Sequence, residues 1–355
     1  MAKKSEKIIC FIDSFASGGA QKQMVMLANG LSKSHEVKTL QYHNIDFFSK
    51  LLNPKVKRMK VLHSNKLLRI IMLLTFFYKE NPSVIISFLY GPNNYAALYK
   101  LIFFWRKTNL IVGERNLNLN RLNLKDFLVR FSHLFATHIV CNSNAQKQKL
   151  SKYFKKKLVF IPNGTIHDAN VKKKYDEKKK TNTVKLIVPA RFLDQKNPMG
   201  LIKSIQHFKN VDVYWYGEVF KSFSIYREAM DYIKNNSIEN FHLMPPTDNI
   251  YEELIKHDAL ILPSFYEGCP NAIIDAMYCG LPILASNVSD NRMYLNHQNK
   301  LIFNPHDIHD IVSKIKYFLS LDFSELKSIS YNNILTAKKH FDVDVMVSKY
   351  LKLIK

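Results

Sequence analysis

Cysteine is scarce in this sequence: four occur in 355 residues, and no two of them form a C-x-x-C pair. Disulfide-stabilised folds and structural zinc sites need cysteines paired at short spacing, so both classes are excluded. The histidines also lack the spacing of metal ligands, and no metal site is predicted. Because Cys10 and Cys141 lie in apolar runs, we expect buried thiols in a reducing compartment.

Long hydrophobic runs are also missing. The longest apolar stretch, Leu67 to Tyr78, contains Arg69 and is shorter than the roughly 20 residues that a membrane-spanning helix needs. The apolar run near the N-terminus, Ile8 to Ile12, meets Asp13 and is too short for a signal peptide. We therefore expect a cytoplasmic protein without a transmembrane segment.

Acidic residues are few, since 29 Asp and Glu stand against 52 Lys and Arg, a formal net charge of +23. Such an excess indicates an anionic partner: nucleic acid, an acidic membrane surface or phosphorylated substrates. A compositional bias toward Lys, Asn and Ile would also place many lysines on the surface with no partner at all.

Short apolar runs alternate with amphipathic helical stretches along the whole chain, which predicts an α/β protein with parallel, doubly wound sheets. The Lys-rich segment from Val171 to Thr183 interrupts this alternation. We predict a Rossmann-like domain over 1–170, a linker over 171–183, a second Rossmann-like domain over 184–340, and a helix over 341–355 that returns to the first domain. A ligand is expected in a cleft between the domains, where the carboxyl ends of the strands meet. The predicted strands are Ile8–Ile12, Val37–Tyr42, Val84–Phe88, Leu110–Val112, His138–Cys141, Val159–Ile161, Val184–Val188, Val211–Tyr216, Phe241–Leu243, Ala259–Leu262 and Ile283–Ala285.

Two carboxylates stand eight positions apart where a predicted strand leads into a predicted helix: Glu267 lies in the loop and Asp275 in the helix. The first backbone amides of a helix have no partner within it and can hold a phosphate. Carboxylates that can bind hydroxyl groups beside a phosphate site suit a sugar nucleotide. The residues expected to line this site are Gly268, Cys269, Pro270, Asn271 and Ala272.

Arg191 and Lys196 flank a turn that follows the predicted strand Val184–Val188. They could clamp a diphosphate, Arg through its planar fork and Lys as a point charge, although a solvated basic turn is the alternative. Gly217 follows the next strand and would admit a ligand or a neighbouring backbone. The backbone around Met244, after a further strand, could contact a nucleobase edge.

Several motifs together resemble the retaining GT-B glycosyltransferases of family 4. Glu267 to Asp275 is similar to the E-x7-E region of that family, and it is preceded by Arg191 and Lys196 in the family's order. The resemblance extends over nearly the whole chain through further pieces: Ser17-Gly18-Gly19, Ile161-Pro162-Asn163-Gly164, Cys279-Gly280-Leu281-Pro282 and Asn304-Pro305-His306-Asp307.

The resemblance implies a role for each matching residue. Arg191 and Lys196 would neutralise the departing diphosphate, Glu267 would hold hydroxyls of the transferred sugar, and Asp275 would hold the nucleotide ribose. Amides from Pro270 to Ala272 would bind sugar and phosphate oxygens, and those of Gly18 and Gly19 would approach phosphate from the first domain. No metal or other cofactor is implied, because the two cations stabilise the leaving group.

The sequence departs from the family pattern at two places. Asp275 stands where relatives usually carry Glu, and its side chain is one methylene shorter. After the strand Leu110–Val112, many relatives carry a His close to the sugar, whereas this chain has Glu114, Arg115 and Asn116. This triplet resembles a subgroup associated with bacterial surface polysaccharides. Arg115 could contact a donor or acceptor phosphate, oriented by Glu114; a structural ion pair at a strand end is the alternative.

Two basic and apolar stretches of the first domain indicate contact with an anionic membrane. The segment Lys50 to Arg69 contains seven basic residues and no acid, and it runs into Leu67–Tyr78; the second stretch is Tyr95–Lys107. Packing of the same helices on a parallel sheet is the alternative explanation. The acceptor expected from membrane contact is a polyprenyl-diphosphate-linked glycan.

The function predicted from these features is transfer of a hexose or related sugar from a nucleotide-diphosphate sugar to a glycan in O-antigen, capsule or similar polysaccharide synthesis. The enzyme is expected at the inner face of the plasma membrane. One alternative is a GT-B sugar-nucleotide epimerase, which would need further carboxylates and a His near the sugar. The other is a basic nucleic-acid-binding protein, which would need base-stacking aromatic residues in a recognised module.

Overall fold

The chain divides into two compact units in a computed structural model that describes residues 6–115, 131–166 and 183–354. Unit 1 consists of Met1–Gly164 and Val343–Lys355, and unit 2 consists of Thr165–Asp342. Apart from Thr183, the predicted linker 171–183 lies outside the described residues, as does Asn116. Both units contain a sheet in which all neighbouring strands are parallel, as the alternating sequence pattern predicts.

Unit 1 contains a seven-stranded sheet with the order β3-β2-β1-β4-β5-β6-β7. Every residue of the central strand β4 is buried, because helices cover both faces of a parallel sheet. The order reverses between β1 and β4, which are paired neighbours. This reversal is the topological switch point, where α/β sheets bind ligands. The strands are β1 (Lys7–Phe11), β2 (Glu36–Gln41), β3 (Lys57–Lys60), β4 (Val84–Phe88), β5 (Asn109–Glu114), β6 (His138–Cys141) and β7 (Leu158–Phe160).

Strand β3 is absent from the sequence-based prediction. It consists of Lys57, Arg58, Met59 and Lys60, and three of these four residues are exposed at the edge of the sheet. Charged side chains on an edge strand protect it from pairing with another chain. The same charges remove the apolar run that would reveal the strand in the sequence.

The helices before β7 in unit 1 include α1 (Gly19–Leu31), α2 (Lys66–Glu80), α3 (Tyr90–Ile102) and α4 (Asn144–Phe154), and the described residues 131–135 are also helical. Helix α2 has well-defined ends: Asn65 Oδ1 accepts from the amides of Leu67 and Leu68, and Asn81 ends the helix with φ of 44°. No helix in the described part of the chain is both long and apolar enough to cross a bilayer.

Unit 2 contains a six-stranded sheet with the order β10-β9-β8-β11-β12-β13. Its order reverses between β8 and β11, so this pair forms the switch point of the second sheet. The strands are β8 (Val184–Pro189), β9 (Val211–Tyr216), β10 (Phe241–Met244), β11 (Ala259–Leu262), β12 (Ile283–Ser286) and β13 (Ile302–Phe303). The helices are α5 (Pro198–Ile205), α6 (Ser224–Asn235), α7 (Ile250–Lys256), α8 (Asn271–Tyr278), α9 (Asn291–Tyr294), α10 (Ile308–Ser320) and α11 (Phe323–His340).

The C-terminal helix α12 (Val343–Ile354) belongs to unit 1. Its residues Met346, Val347 and Tyr350 are buried in the same hydrophobic core as β1 and α1. A Cβ atom on Gly30 of α1 would lie 2.3 Å from a methyl group of Val347, so only glycine allows this close helix packing. The chain therefore starts and ends in the same unit.

All four cysteines are buried, and none of them forms a disulfide bond. Burial raises the pKa of the Cys10 thiol to about 12 and is the main reason that the pKa of Cys141 is also raised to about 12. Because the thiolate is the reactive form, these two thiols are inert at neutral pH and act as small apolar core groups.

Candidate active site

The loop between β11 and α8 lies at the switch point of unit 2 and carries Glu267. Helix α8 begins at Asn271, and Pro270 at its N-cap position offers no side-chain cap to the first amides. The helix ends before Gly280, whose φ of +71° favours glycine. The predicted order of strand, carboxylate loop and helix start is thus present, with the amides at the helix start suited to an anion.

Lys196 and Glu267 form an ion pair although 71 positions separate them. Lys196 lies at the end of a 3-10 turn, Asp194–Lys196, that follows β8, and its Nζ donates to Glu267 Oε1 at 2.5 Å. Ser264 Oγ donates to the same oxygen at 2.6 Å. The pair is partly shielded from solvent, with 18% of the Lys196 side chain and 7% of the Glu267 side chain exposed. No role for Ser264 was predicted from the sequence, although only Pro263 separates it from the buried strand β11.

Two further hydrogen bonds hold the loops of Lys196 and Glu267 together. The amide of Phe265 donates to the carbonyl of Gln195 at 2.9 Å. The side chain of Gln195 donates to the carbonyl of Tyr266 at 2.8 Å. The loops after β8 and β11 therefore form one surface, and the ion pair is fixed by the backbone on both sides.

Arg191 lies two residues after the end of β8 and is exposed. None of the described residues forms an ion pair with it, so an incoming anion would meet an unneutralised guanidinium. The adjacent Phe192 is buried, and its amide donates to the carbonyl of Glu218 at 2.9 Å. This contact fixes the backbone that carries Arg191.

Gly217 has a structural explanation in the turn after β9. A Cβ atom there would lie 2.0 Å from the carbonyl oxygen of Ala190, so the glycine allows two backbone segments to approach. The sequence predicted that this glycine admits either a ligand or a neighbouring backbone, and the structure shows a neighbouring backbone there. The Gly217 amide also donates to the carbonyl of Met244 at 3.3 Å. This hydrogen bond uses a backbone group of Met244 that was expected to contact a nucleobase.

Asp275 is buried in α8, with 4% of its surface exposed. Its Oδ1 accepts a hydrogen bond from Thr165 Oγ1 at 2.9 Å and another from the Tyr251 hydroxyl at 2.9 Å. Burial and the nearby Asp275 carboxylate both raise the pKa of Tyr251. The predicted contact between Asp275 and ribose therefore competes with bonds inside the protein that no local sequence pattern indicates.

In unit 1, the Gly-rich turn follows β1 at the switch point of the first sheet. Helix α1 starts at Gly19, and Gly18 at the N-cap position provides no side-chain cap. A Cβ atom on Gly18 would lie 2.2 Å from Gln21 Oε1. The side-chain Nε2 of Gln21 donates to Asp13 Oδ1 at 3.2 Å. The neighbouring strand β4 is followed by Leu89, a non-glycine residue with φ of 76°; such strained backbone is concentrated at functional sites.

Glu114 and Arg115 have separate partners in unit 1, so the expectation that Glu114 orients Arg115 is wrong. Glu114 Oε1 pairs with Nε2 of the fully buried His133 at 2.8 Å. The Arg115 guanidinium donates to Asn163 Oδ1 at 2.8 Å and to the Tyr350 hydroxyl at 3.0 Å, and it lies 3.5 Å from the centre of the Phe88 ring. With 9% of its surface exposed, Arg115 connects β5 to the C-terminal helix. Its contact with a phosphate stays a prediction.

Two Rossmann-like units with parallel sheets are the architecture of the GT-B fold class. HepE of Anabaena, in complex with UDP and glucose, matches with a TM-score of 0.83 and 15% identity over 98% of each chain. A glycosyltransferase from Rickettsia africae matches with a TM-score of 0.80 and 17% identity, covering 99% of this chain and 98% of the other. At these identities the similarity shows the fold alone, and it confirms the predicted GT-B class.

The family follows from the sequence matches. Residues 17–168 match the model of Glycosyltransferase Family 4, and residues 170–335 match the model of Glycosyl transferases group 1. Because the two matches together span nearly the whole chain, the protein belongs to the group 1 glycosyltransferases of family 4. It is therefore an enzyme that transfers sugars, and this part of the prediction is confirmed.

Two relatives are bacterial glycosyltransferases. A protein of Campylobacter jejuni is 28% identical over 370 aligned residues, covering 98% of both chains. Its name is GalNAc-alpha-(1->4)-GalNAc-alpha-(1->3)-diNAcBac-PP-undecaprenol alpha-1,4-N-acetyl-D-galactosaminyltransferase. The capsular polysaccharide biosynthesis glycosyltransferase CapH of Staphylococcus aureus is 25% identical over 166 residues, which cover 44% of this chain and 45% of CapH.

Proposed function

We propose that this glycosyltransferase moves a sugar from a nucleotide-diphosphate sugar to a polyprenyl-diphosphate-linked glycan, with retention at the anomeric carbon. The observation that carries the proposal is the Lys196–Glu267 pair, which lies at the switch point of unit 2 beside the start of α8. A cation, a carboxylate and helix amides at one sheet edge match a diphosphate and the hydroxyls of a sugar.

In the proposed mechanism the protein stabilises the departing diphosphate. Lys196, Arg191 and the first amides of α8 take up the negative charge that develops as the bond between the anomeric carbon and the diphosphate oxygen breaks. The acceptor hydroxyl attacks from the same face, and its proton passes to the departing diphosphate oxygen. Lys196 and Ser264 both contact Oε1 of Glu267, so Oε2 is the oxygen assigned to a sugar hydroxyl. The two cations supply the charge, and no metal is required in this proposal.

The proposed acceptor is supported by the relatives. The Campylobacter jejuni enzyme carries a diphospho-undecaprenol saccharide in its name, and CapH is named for capsular polysaccharide synthesis. A diphosphate-linked lipid acceptor also suits the net charge of +23. We therefore assign the protein to bacterial surface-glycan synthesis, as a peripheral enzyme at the inner face of the plasma membrane.

A surface of unit 1 supports the membrane part of this proposal. Helix α2 buries only Arg69, Leu73 and Phe77, so packing on the sheet explains one stripe of its apolar residues. The exposed apolar side chains of α2, together with those at the end of α3 and just after it, form what we call the apolar face. It consists of Leu67, Leu68, Ile71, Met72, Tyr78, Leu101, Ile102, Phe104 and Trp105, all of which are exposed.

The two parts of the apolar face are joined by aromatic contacts. The rings of Tyr78 and Phe103 are 5.1 Å apart, and the Arg106 guanidinium lies 4.9 Å from the centre of the Tyr78 ring. Lys66, Lys79 and Lys107 are exposed at the same elements. Apolar side chains with basic residues around them suit an anionic lipid surface.

The test of the proposed reaction is a panel of sugar nucleotides, offered with and without a polyprenyl-diphosphate-linked saccharide. Uridine nucleotides come first in the panel, since HepE was solved with UDP. We expect thermal stabilisation by one nucleotide diphosphate, slow hydrolysis of its sugar, and transfer with retained configuration in the product NMR spectrum. An epimerised donor formed without an acceptor, or a salt-sensitive gel shift with nucleic acid and no donor binding, would overturn the proposal.

A further inference from the structure

Asp275, Thr165 and Tyr251 form a hydrogen-bonded cluster inside unit 2. Asp275 Oδ1 accepts from both hydroxyl groups at 2.9 Å, and the two hydroxyl oxygens lie 2.5 Å from each other. Thr165 and Asp275 are buried, with exposed fractions of 2% and 4%. Hydrogen bonds from two hydroxyl groups offset the cost of burying a carboxylate. Moving the carboxylate away from these hydroxyl groups would break buried hydrogen bonds and lower stability.

The two hydroxyl groups come from elements far apart in the sequence. Tyr251 lies in α7, whereas Thr165 is the first residue of unit 2. The Thr165 amide donates to the carbonyl of Phe341 at 2.8 Å, and Thr165 forms a parallel bridge with Asp342, the last residue of the unit. Through Asp275, helix α8 is therefore attached to α7 and to the place where the chain enters and leaves unit 2.

The length of the Asp275 side chain favours this internal role. Asp275 lies in the middle of α8, four residues after its first residue Asn271. A carboxylate in a glutamate at this position would extend one methylene further from the helix axis. With the shorter side chain, the carboxylate stays among Thr165 and Tyr251.

Building on the proposed function, we infer that Asp275 is a positioning residue that holds α8 in place and does not bind the nucleotide ribose. The amides at the start of α8 and the loop of Glu267 must meet the diphosphate and the sugar within hydrogen-bond distance. Six of the eight residues of α8 are buried, and Asp275 is the charged residue among them, so its hydrogen bonds to Thr165 and Tyr251 help to fix where those amides lie.

The experiment compares each donor with its 2′-deoxyribose analogue in wild type, Asp275→Asn, Tyr251→Phe and Thr165→Val. We expect each variant to lower kcat, by about tenfold for Tyr251→Phe and more for Asp275→Asn, with the same factor for both donors. The preference for ribose over deoxyribose then stays at its wild-type value. Tyr232→Phe is the matched control, because its hydroxyl donates to Gln206 at the exposed surface of the same unit.

Two results would overturn the inference. Loss of the ribose preference in Asp275→Asn alone, with normal kcat in Tyr251→Phe and Thr165→Val, would make Asp275 a ribose ligand. Lower melting temperatures with unchanged kcat and KM at low temperature would make the three residues merely structural. If Asp275→Asn does not fold, the Tyr251→Phe and Thr165→Val variants decide between these results. Failure of the wild type to use any sugar nucleotide would be distinct, because it would contradict the proposed function itself.

Discussion

Lys196 Nζ donates to Oε1 of Glu267 at 2.5 Å, from a loop that follows β8 to a loop that follows β11. Such a partly buried pair places a cation at the sheet edge before any ligand arrives. In the proposed function, Lys196 shares its donors between Glu267 and a phosphate oxygen of the sugar nucleotide. Removal of either partner would leave the other charge uncompensated in a shielded place.

Loss of either side chain of this pair should lower turnover strongly. We expect Lys196→Ala and Glu267→Ala each to reduce kcat by about 10²–10³-fold, because the charge of the leaving group is no longer stabilised or the cation is no longer held. The measurement is donor turnover with the fold checked by circular dichroism. Lys209→Ala and Glu228→Ala, at exposed positions of the same unit, are the matched controls. Near-normal turnover in both site variants would contradict the assignment.

The Arg115–Tyr350 contact should stabilise unit 1. Arg115→Met removes the guanidinium that donates to the Tyr350 hydroxyl and to Asn163 Oδ1 in the core, so we expect the free energy of unfolding to fall by roughly 1–3 kcal/mol. Urea denaturation measures the change, and hydrogen exchange shows whether helix Val343–Ile354 is exposed first. Lys352→Met on the same helix is the exposed control. Unchanged stability with a raised KM for the acceptor would favour the predicted phosphate contact.

The apolar face should bind anionic vesicles through its most exposed aromatic residues. Phe104 is 78% exposed and Trp105 is 58% exposed. We expect the double variant Phe104→Ser/Trp105→Ser to bind phosphatidylglycerol vesicles at low salt with an affinity about tenfold lower or more, because neither side chain can bury apolar surface in the lipid. The bound fraction in vesicle sedimentation measures this affinity. The control is Tyr331→Ser/Leu335→Ser, which removes exposed apolar side chains from unit 2. Equal sedimentation of both double variants and wild type would exclude this face.

The stability of unit 1 should depend on pH through His138. Burial, and then the positive charge of Lys100, lower the pKa of His138 below its ordinary value of 6.5. The unfolded chain therefore takes up a proton at a higher pH than the folded chain. The contribution of neutral His138 to the free energy of unfolding is fully present above its pKa in the unfolded chain. It is lost as the pH falls from 6.5 through the lower pKa of His138 in the folded chain. Urea midpoints measured across this range should vary less in His138→Gln, whereas the exposed control His207→Gln should behave as wild type.

The sequence by itself determined the architecture and much of the candidate site. Buried strands appear in the sequence as apolar runs and helices as apolar stripes, so the alternation predicted two parallel sheets. Of the strands in the described residues, only the charged edge strand Lys57–Lys60 and the two-residue strand Ile302–Phe303 were missed. Arg191, Lys196 and Glu267 were predicted as site residues because they follow strand ends, where parallel sheets bind ligands, and their roles stay predictions.

The tertiary structure alone decided which side chains meet. Lys196 contacts Glu267 because β8 and β11 become neighbours at the switch point, although 71 positions separate the two residues. In the same way, Glu114 meets His133, Arg115 meets Tyr350, and Asp275 meets Thr165 and Tyr251. Local sequence patterns indicate which residues are buried and the period at which apolar residues repeat along the chain. They carry no information on strand order, and strand order determines the partner of each buried charge.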